Sequence, residues 1–525
     1  METSLFNDVL GPVMRGPSSS HCAAALRIGR LVRDLSGGHP GRVVLTMDTD
    51  GSLPATHASQ GSDMGLFGGL MGWDADDARL PEGAAALGSA GIAVEFVEAA
   101  LGDPHPNTYR LAFGPERDRR SLVAISTGGG MIEVIEIDGF PVRLHGDRRT
   151  MVVRCAPAAA RAIADRVAAW EPTSVDRGDA SLVCVPGIDD SECGAALADI
   201  DGLRDVRTLE RVLPVATVPG AVVPFRTCAE MEAWVRGRDL PLWRCGLAYE
   251  CARGGLSEDE VLERALDLVR ILRRSIAAGL AGTEHSDRVL GCQSVGYGSA
   301  WESGRLYDAG VLNRIILYTT AMMEVKSSNG VIVAMPTAGA CAALPGALLG
   351  VADSLGWSDR TAAEGLLAAG VVGMFIATAW SFAAEVGGCQ AEGGSAAAMA
   401  AGALACLHGG TLAQSVGAAS MALQSMLGLI CDPVANRVEA PCLGKNVMAA
   451  ANALSCANMA LAGYAMVIPL DETIAAAREV AARMPREHRC TALGGLSTTP
   501  TSRAIELRLA AGGCGAGCGA ATCRC

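Results

Sequence analysis

Aromatic side chains are scarce: Phe, Trp and Tyr make up 4% of this 525-residue chain. Its cores must therefore be built from small and branched aliphatic groups. Half the residues are hydrophobic and Gly alone accounts for 64 positions, a composition that suits closely packed helices. Lysine is scarcer still, with only Lys326 and Lys445. A pyridoxal-phosphate enzyme needs a Schiff-base lysine beside a phosphate-binding loop, and neither lysine has a convincing Gly-rich neighbour, which argues against that chemistry. The net charge of −13 argues against a nucleic-acid surface. The opening METSLFNDVLG lacks the basic and apolar regions of a secretory signal. The 19 cysteines are then expected to be thiols in a reducing cytoplasm rather than disulfides. One run, 366–384, is long and apolar enough to span a bilayer, but basic flanks are missing. With the Ala-rich segment 395–407 after it, it is read as a central helix of a bundle, with no membrane partner.

The chain is too long for one ordinary core, so several domains are expected. Residues 1–148 alternate short apolar runs with turns. Strands are predicted at 42–47 and 122–126, with a helix over 22–35 capped by Ser20. The hydroxyls and amides of Ser18, Ser19, Ser20 and His21 could hold an anion at that helix start. Ser126-Thr127-Gly128-Gly129-Gly130 reads as a loop of close backbone approach. His105, between Pro104 and Pro106, is held on a stiff extended loop suited to a fixed acid–base group. Residues 149–217 show a β-α-β-β-α-β order, a ferredoxin-like split unit. Residues 218–225 read as a linker. From 226 to 510 nearly everything is helical, including an amphipathic helix over 258–278 and a Gly-rich loop at 291–298. Residues 511–525 form a thiol-rich tail ending in Cys525, with little to bury.

The densest chemistry lies between Gly387 and Cys442. Cys389, Cys431 and Cys442 sit in Gly- and Pro-broken segments that read as turns. No CxxC pair occurs there, so a closed zinc knuckle is not expected. Three thiolates from separate turns suit an iron–sulfur cluster with one open iron; three buried cysteines acting as small apolar fillers fit the spacing too.

The segments GGCQAE at 387–392, LGLICDPV at 427–434, EAPC at 439–442 followed by Lys445-Asn446, and LGGLSTTPTSR at 493–503 resemble the iron–sulfur-dependent L-serine dehydratases (L-serine ammonia-lyases). GPVM at 11–14 and GPSSSH at 16–21 resemble the same family's second domain. The resemblance implies a multidomain chain: an α+β beta-type domain over 1–148, an ACT-type ferredoxin-like domain over 149–217, and an all-α catalytic alpha-type domain over 226–510. It implies that Cys389, Cys431 and Cys442 hold a [4Fe-4S] cluster, with Cys525 a candidate fourth ligand. It implies a small amino-acid substrate and a homodimer. His105 is then the first candidate for proton transfer, with Ser20 and His57 behind it. Ser18, Ser19, Ser20, His21, Asn329, Thr337 and Gly339 are candidates for holding substrate; Pro336 to Ala340 resembles the family's PTNGA or PTAGS. One position departs from the pattern. Where the family reads GKGHGTD, residues 57–63 read HASQGSD, and Gln60 stands in place of a His. An amide can orient a substrate but cannot transfer a proton at neutral pH. The expected reaction is loss of water and ammonia from L-serine. Desulfidation of L-cysteine, elimination from another β-substituted amino acid, and a silent amino-acid sensor are the alternatives.

Overall fold

The computed structural model describes residues 2–218 and 220–512. The chain folds as two units. One takes in 1–15, 19–223 and 250–256; the other takes in 16–18, 224–249 and the described residues from 257 onward. No helix or strand forms among the described residues of 218–225. The assignment of 250–256 to the first unit was not foreseen.

In the first unit a six-stranded sheet runs in the order Ala93–Ala99, Arg42–Asp48, Thr108–Phe113, Arg120–Gly128, Met131–Ile137, Phe140–Leu144. Its first two strands are parallel and the other pairs antiparallel. A parallel pair needs a crossover, and residues between Asp48 and Ala93 supply it with the helices Leu53–Thr56, Ser62–Leu70 and Gly83–Ser89. Helices Ala24–Leu35 and Ser62–Leu70 touch backbone to backbone. A Cβ on Gly65 would lie 2.0 Å from the Cys22 carbonyl oxygen, and one on Gly69 would lie 2.1 Å from that of Leu26. Only glycine permits this approach. The predicted helix at 22–35 starts later than expected. Ser19–Ala23 forms a wider turn, and the helix proper begins at Ala24 with no side-chain cap, so Ser20 is not its N-cap.

The β-α-β-β-α-β order is present from Thr150–Cys155 to Leu203–Leu209, with helices Pro157–Arg166 and Asp190–Leu197. Its four strands are antiparallel, ordered Leu203–Leu209, Thr150–Cys155, Ala180–Pro186, Thr173–Arg177. One face packs Met151, Val153, Val183 and Val185 with Ile163 and Ala160. The other face, with Val152, Leu182 and Cys184, joins the core of the six-stranded sheet. Burial on both faces explains why these strands read as unbroken apolar runs.

Among its described residues the second unit is helical apart from the short strand Ile332–Val333. Ser257 and Glu260 form a capping box at the start of Glu258–Leu280. Ser395–Leu407 is the innermost helix, buried from Ser395 to Cys406. It packs on Asp359–Ala379, Leu412–Gln424 and Cys442–Leu461. Small residues make this possible: a Cβ on Gly402 would come 3.2 Å from Val372 Cγ2 and 3.4 Å from Ser415 O. Among the described residues two stretches, Ala338–Leu355 and Asp359–Ala379, are long and apolar enough to cross a membrane, yet 78% of an apolar 18-residue span in each is buried inside the protein. The run expected to be one helix over 366–384 stops at Ala379, where Trp380 leaves helical geometry. The predicted loop at 291–298 is instead helical from Ser294, in Ser294–Glu302.

Candidate active site

Cys389, Cys431 and Cys490 share one apolar pocket of the helical unit with Ala384 and Leu429. The Cys431 thiol is in hydrogen-bonding contact with those of both Cys389 and Cys490. Cys442 is close enough to Cys389 for their charges to interact. All four are at most 7% exposed. The local folding is set by the motif residues. Gly388 takes a left-handed φ of 67°, and a Cβ there would lie 2.7 Å from Met484 Sδ. Cys389 then leads into the turn Gln390–Gly394. Gln390 ties that turn to the Cys431 segment: its N–H donates to Leu429 O at 2.9 Å, and its Oε1 accepts from Gly428 N at 2.9 Å. The Cys431 N–H donates to His488 O at 2.8 Å. Cys442 is the first residue of Cys442–Leu461, with Lys445 nearly one turn on. Lys445 Nζ lies 3.7 Å from Cys389 Sγ and donates to Ile430 O and Asp432 Oδ1, each at 2.7 Å.

Contact with the Cys389 and Cys490 thiols, then burial, holds the Cys431 thiol well above the ordinary range. Burial first, then the Cys389 charge, does the same to Cys442. Burial opposes the charge on Lys445, but Cys389, Asp432 and Cys442 outweigh it and its pKa is raised. Thiols in this state take up a metal group only by releasing protons; Lys445 is placed to balance a thiolate at Cys389, and Lys326 and Lys445 both favour one at Cys442. Among the described residues no three His, Cys, Asp or Glu side chains are grouped so as to hold a single metal ion. Cys341 and Cys292 stand outside the pocket. Cys341 is fully buried and its thiol is pushed up to about 12 by burial, while Cys292 is exposed and lies 3.6 Å from Glu324 Oε2.

Thr337 begins the short turn Ala338–Ala340 and its hydroxyl accepts from Ala340 N at 3.2 Å. The same hydroxyl donates to Glu392 Oε1 at 2.6 Å. Burial pushes the Glu392 carboxyl up to about 7, with Glu385 adding to it and Lys326 and Lys445 opposing. A Cβ on Gly339 would come 2.7 Å from Glu392 Oε1, so a larger residue there would push that carboxyl aside. Two amides at the start of helix Ala343–Leu355 are taken: Asn446 Oδ1 accepts from Ala342 N and Ala343 N at 3.2 and 3.1 Å. Asn446 Nδ2 also donates to Gly339 O at 2.8 Å. Asn446 thus shapes this loop, a role that no local reading of the sequence suggests. Asn329 follows helix Val311–Ser327 with a φ of 55°. Ser18, grouped with this unit, is buried.

In the first unit, Ser19, Ser20 and His21 are all buried. Ser20 Oγ lies 3.2 Å from His21 Nδ1, His21 Nε2 lies 2.7 Å from Thr56 Oγ1, and Ser126 Oγ donates to Ser20 O at 2.7 Å. Gly128, Gly129 and Gly130 all take positive φ, but the loop read over 126–130 is narrower than expected: Ser126 to Gly128 continue the strand Arg120–Gly128, and Gly129 and Gly130 alone turn into the next strand at Met131. Gln60 is buried, one turn beyond Thr56, to whose carbonyl its N–H donates at 2.8 Å. His57 is paired instead with Asp63, Nδ1 to Oδ1 at 2.7 Å, and stacks on Phe96. The Asp63 hydrogen bond raises its pKa. His105 Nδ1 accepts from Asn107 N at 3.2 Å. Asn107 was missed in the sequence. It is fully buried and neither its Oδ1 nor its Nδ2 has a hydrogen-bond partner. Such an amide costs about 1–3 kcal/mol, which marks Asn107 as a candidate for contact with a polar ligand. Cys525 lies outside the described residues.

The serine dehydratase alpha chain family model matches residues 217–497. The probable L-serine dehydratase alpha chain of Bacillus subtilis (strain 168) is 33% identical over 291 residues, 55% of this chain and 97% of that protein. The probable beta chain of the same organism is 41% identical over 147 residues, 28% of this chain and 66% of its own length. The L-serine dehydratase of Streptomyces coelicolor is 34% identical over 281 residues, 52% of this chain and 61% of that protein.

Proposed function

Since the chain belongs to the serine dehydratase alpha chain family, we propose that it is a single-chain, iron–sulfur-dependent L-serine ammonia-lyase. Similarity to both an alpha and a beta chain supports the single-chain reading. The observation that carries the cofactor reading is the buried thiol pocket, with the Lys445 ammonium 3.7 Å from Cys389 Sγ. Thiols presented from separate turns, with a cation to balance them, fit a [4Fe-4S] cluster. Cys389, Cys431 and Cys442 would hold it. When bound, such a cluster supplies a Lewis acid for the departing hydroxyl of serine.

The protein's own groups would do the rest. Lys445 fixes Cys389 and offsets thiolate charge. Glu392, titrating near neutrality, can hold or release a proton while bonded to Thr337. His105 is proposed to take the α-proton, as the family resemblance implies. Loss of water from serine leaves aminoacrylate, and its hydrolysis yields pyruvate and ammonia. The four-stranded segment from Thr150 to Leu209 is read as an ACT-type unit with a regulatory or dimerising role.

Anaerobic reconstitution with iron and sulfide, followed by assays of L-serine, L-threonine and L-cysteine, tests this. Pyruvate and ammonia from serine are expected. Sulfide released from cysteine, with serine inert, would make the chain a desulfidase. Serine bound without turnover would favour a sensor, the reading that Gln60 supports.

A further inference from the structure

We propose that Cys490 is a fourth thiolate ligand, so that the resting cluster is held by four protein sulfurs rather than three, and that serine would displace this thiolate to reach an iron. The inference rests on the iron–sulfur reading above. Cys490 lies in the same pocket as Cys389 and Cys431 and touches the Cys431 thiol. It is 4% exposed, no more than the other three.

Its position is held from both sides. Before it, His488 O accepts from Cys431 N at 2.8 Å. After it, Leu496 N donates to Asp432 Oδ2 at 3.0 Å and Ser497 Oγ donates to Pro433 O at 2.8 Å. Gly495 is packed so closely that a Cβ would lie 2.6 Å from Asp432 Cβ. The segment carrying Cys490 is therefore bound to the three consecutive residues Cys431, Asp432 and Pro433. Neither segment can shift without the other, so whatever Cys431 ligates is within the neighbourhood of Cys490. A [4Fe-4S] cluster has four irons and takes four thiolates when they are available. The competing role is that of a small apolar filler, which alanine would satisfy.

The test uses the full chain, reconstituted anaerobically, as wild type and as the Cys490→Ala, Cys490→Ser, Cys525→Ala and Cys431→Ser variants. Iron and sulfide content, the rate of iron loss to EDTA, and the electron paramagnetic resonance signal after mild oxidation are measured without substrate. Cys490→Ala and Cys490→Ser should lose one iron at least about tenfold faster than wild type, the scale on which even supporting groups change metal affinity. They should also give a three-iron signal under oxidation that leaves wild type intact, while Cys525→Ala behaves as wild type. Equal rates and spectra in wild type and both Cys490 variants, with the cluster lost in Cys431→Ser, overturn the proposal. So does faster iron loss in Cys525→Ala alone. A wild-type chain that takes up neither iron nor sulfide overturns the parent reading and this one together.

Discussion

Lys445 shows how much one residue holds in place. It is one of two lysines in the chain, and its ammonium joins Cys389, Ile430 and Asp432. Replacing it with Met leaves Asp432, whose side chain is 8% exposed, without its cation. Removing one partner of a buried pair costs about 3–5 kcal/mol, so Lys445→Met should lower both the melting temperature and the bound iron. A variant with wild-type iron and stability would remove Lys445 from the account. Cys389→Ser, Cys431→Ser and Cys442→Ser should each lose iron and turnover. For His105→Ala the expected effect is on turnover, about a hundredfold or more, with little change in KM. A near-normal kcat would move proton transfer to another group. At this scale the sequence singles out Cys389, Cys431, Cys442 and Thr337 as candidates, and the structure brings the Cys389 and Cys431 thiols together. Cys490 and the Asn446 contacts were not, because their partners are distant in the chain; Asn446 reaches Ala342 across 104 positions.

Among the elements, those set by local pattern were read best. Helix Ser395–Leu407 matches the Ala-rich run, and Glu258–Leu280 extends the amphipathic helix by only two residues, since capping and periodicity are local. The Ser19–Ala23 turn and helix Ser294–Glu302 were misread because tertiary packing decides them. The crossing of Ala24–Leu35 over Ser62–Leu70 offers a direct check. Gly65→Val would place a side chain against the Cys22 carbonyl and should destabilise by about 1–3 kcal/mol or more through overpacking. Gly194, in Asp190–Leu197, has nothing within 4 Å of a built Cβ. Gly194→Ala should be neutral or stabilising by about 0.5–1 kcal/mol. Urea unfolding of both variants measures the contrast; equal effects would contradict the packing described.

Across the molecule, buried carboxyls set how stability varies with pH. In the first unit Glu250 accepts from Ser4 Oγ and Leu5 N at 2.8 Å, with Arg253 Nη1 at 3.6 Å. Burial pushes Glu250 up to about 7 and Asp8 up to about 6. Unfolded carboxyls titrate near 4. Between those values the folded chain keeps protons that the unfolded chain has released, so stability falls as pH rises through this window. The melting temperature should thus be higher near pH 5.5 than near pH 8, and a flat or opposite trend would contradict it. The division into a β-containing part and a helical part was legible from composition and period. The membership of 250–256 in the first unit was not, because it depends on contacts far along the chain.

The thiol pocket is proposed to hold an iron–sulfur cluster on which serine dehydration depends. The most direct measurement is iron, sulfide and pyruvate formation on one anaerobic preparation, before and after the cluster is stripped with a chelator. About four irons and four sulfides per chain are expected, with turnover of L-serine that disappears on stripping and recovery of both on reconstitution. Full serine turnover by a colourless, iron-free chain would contradict it.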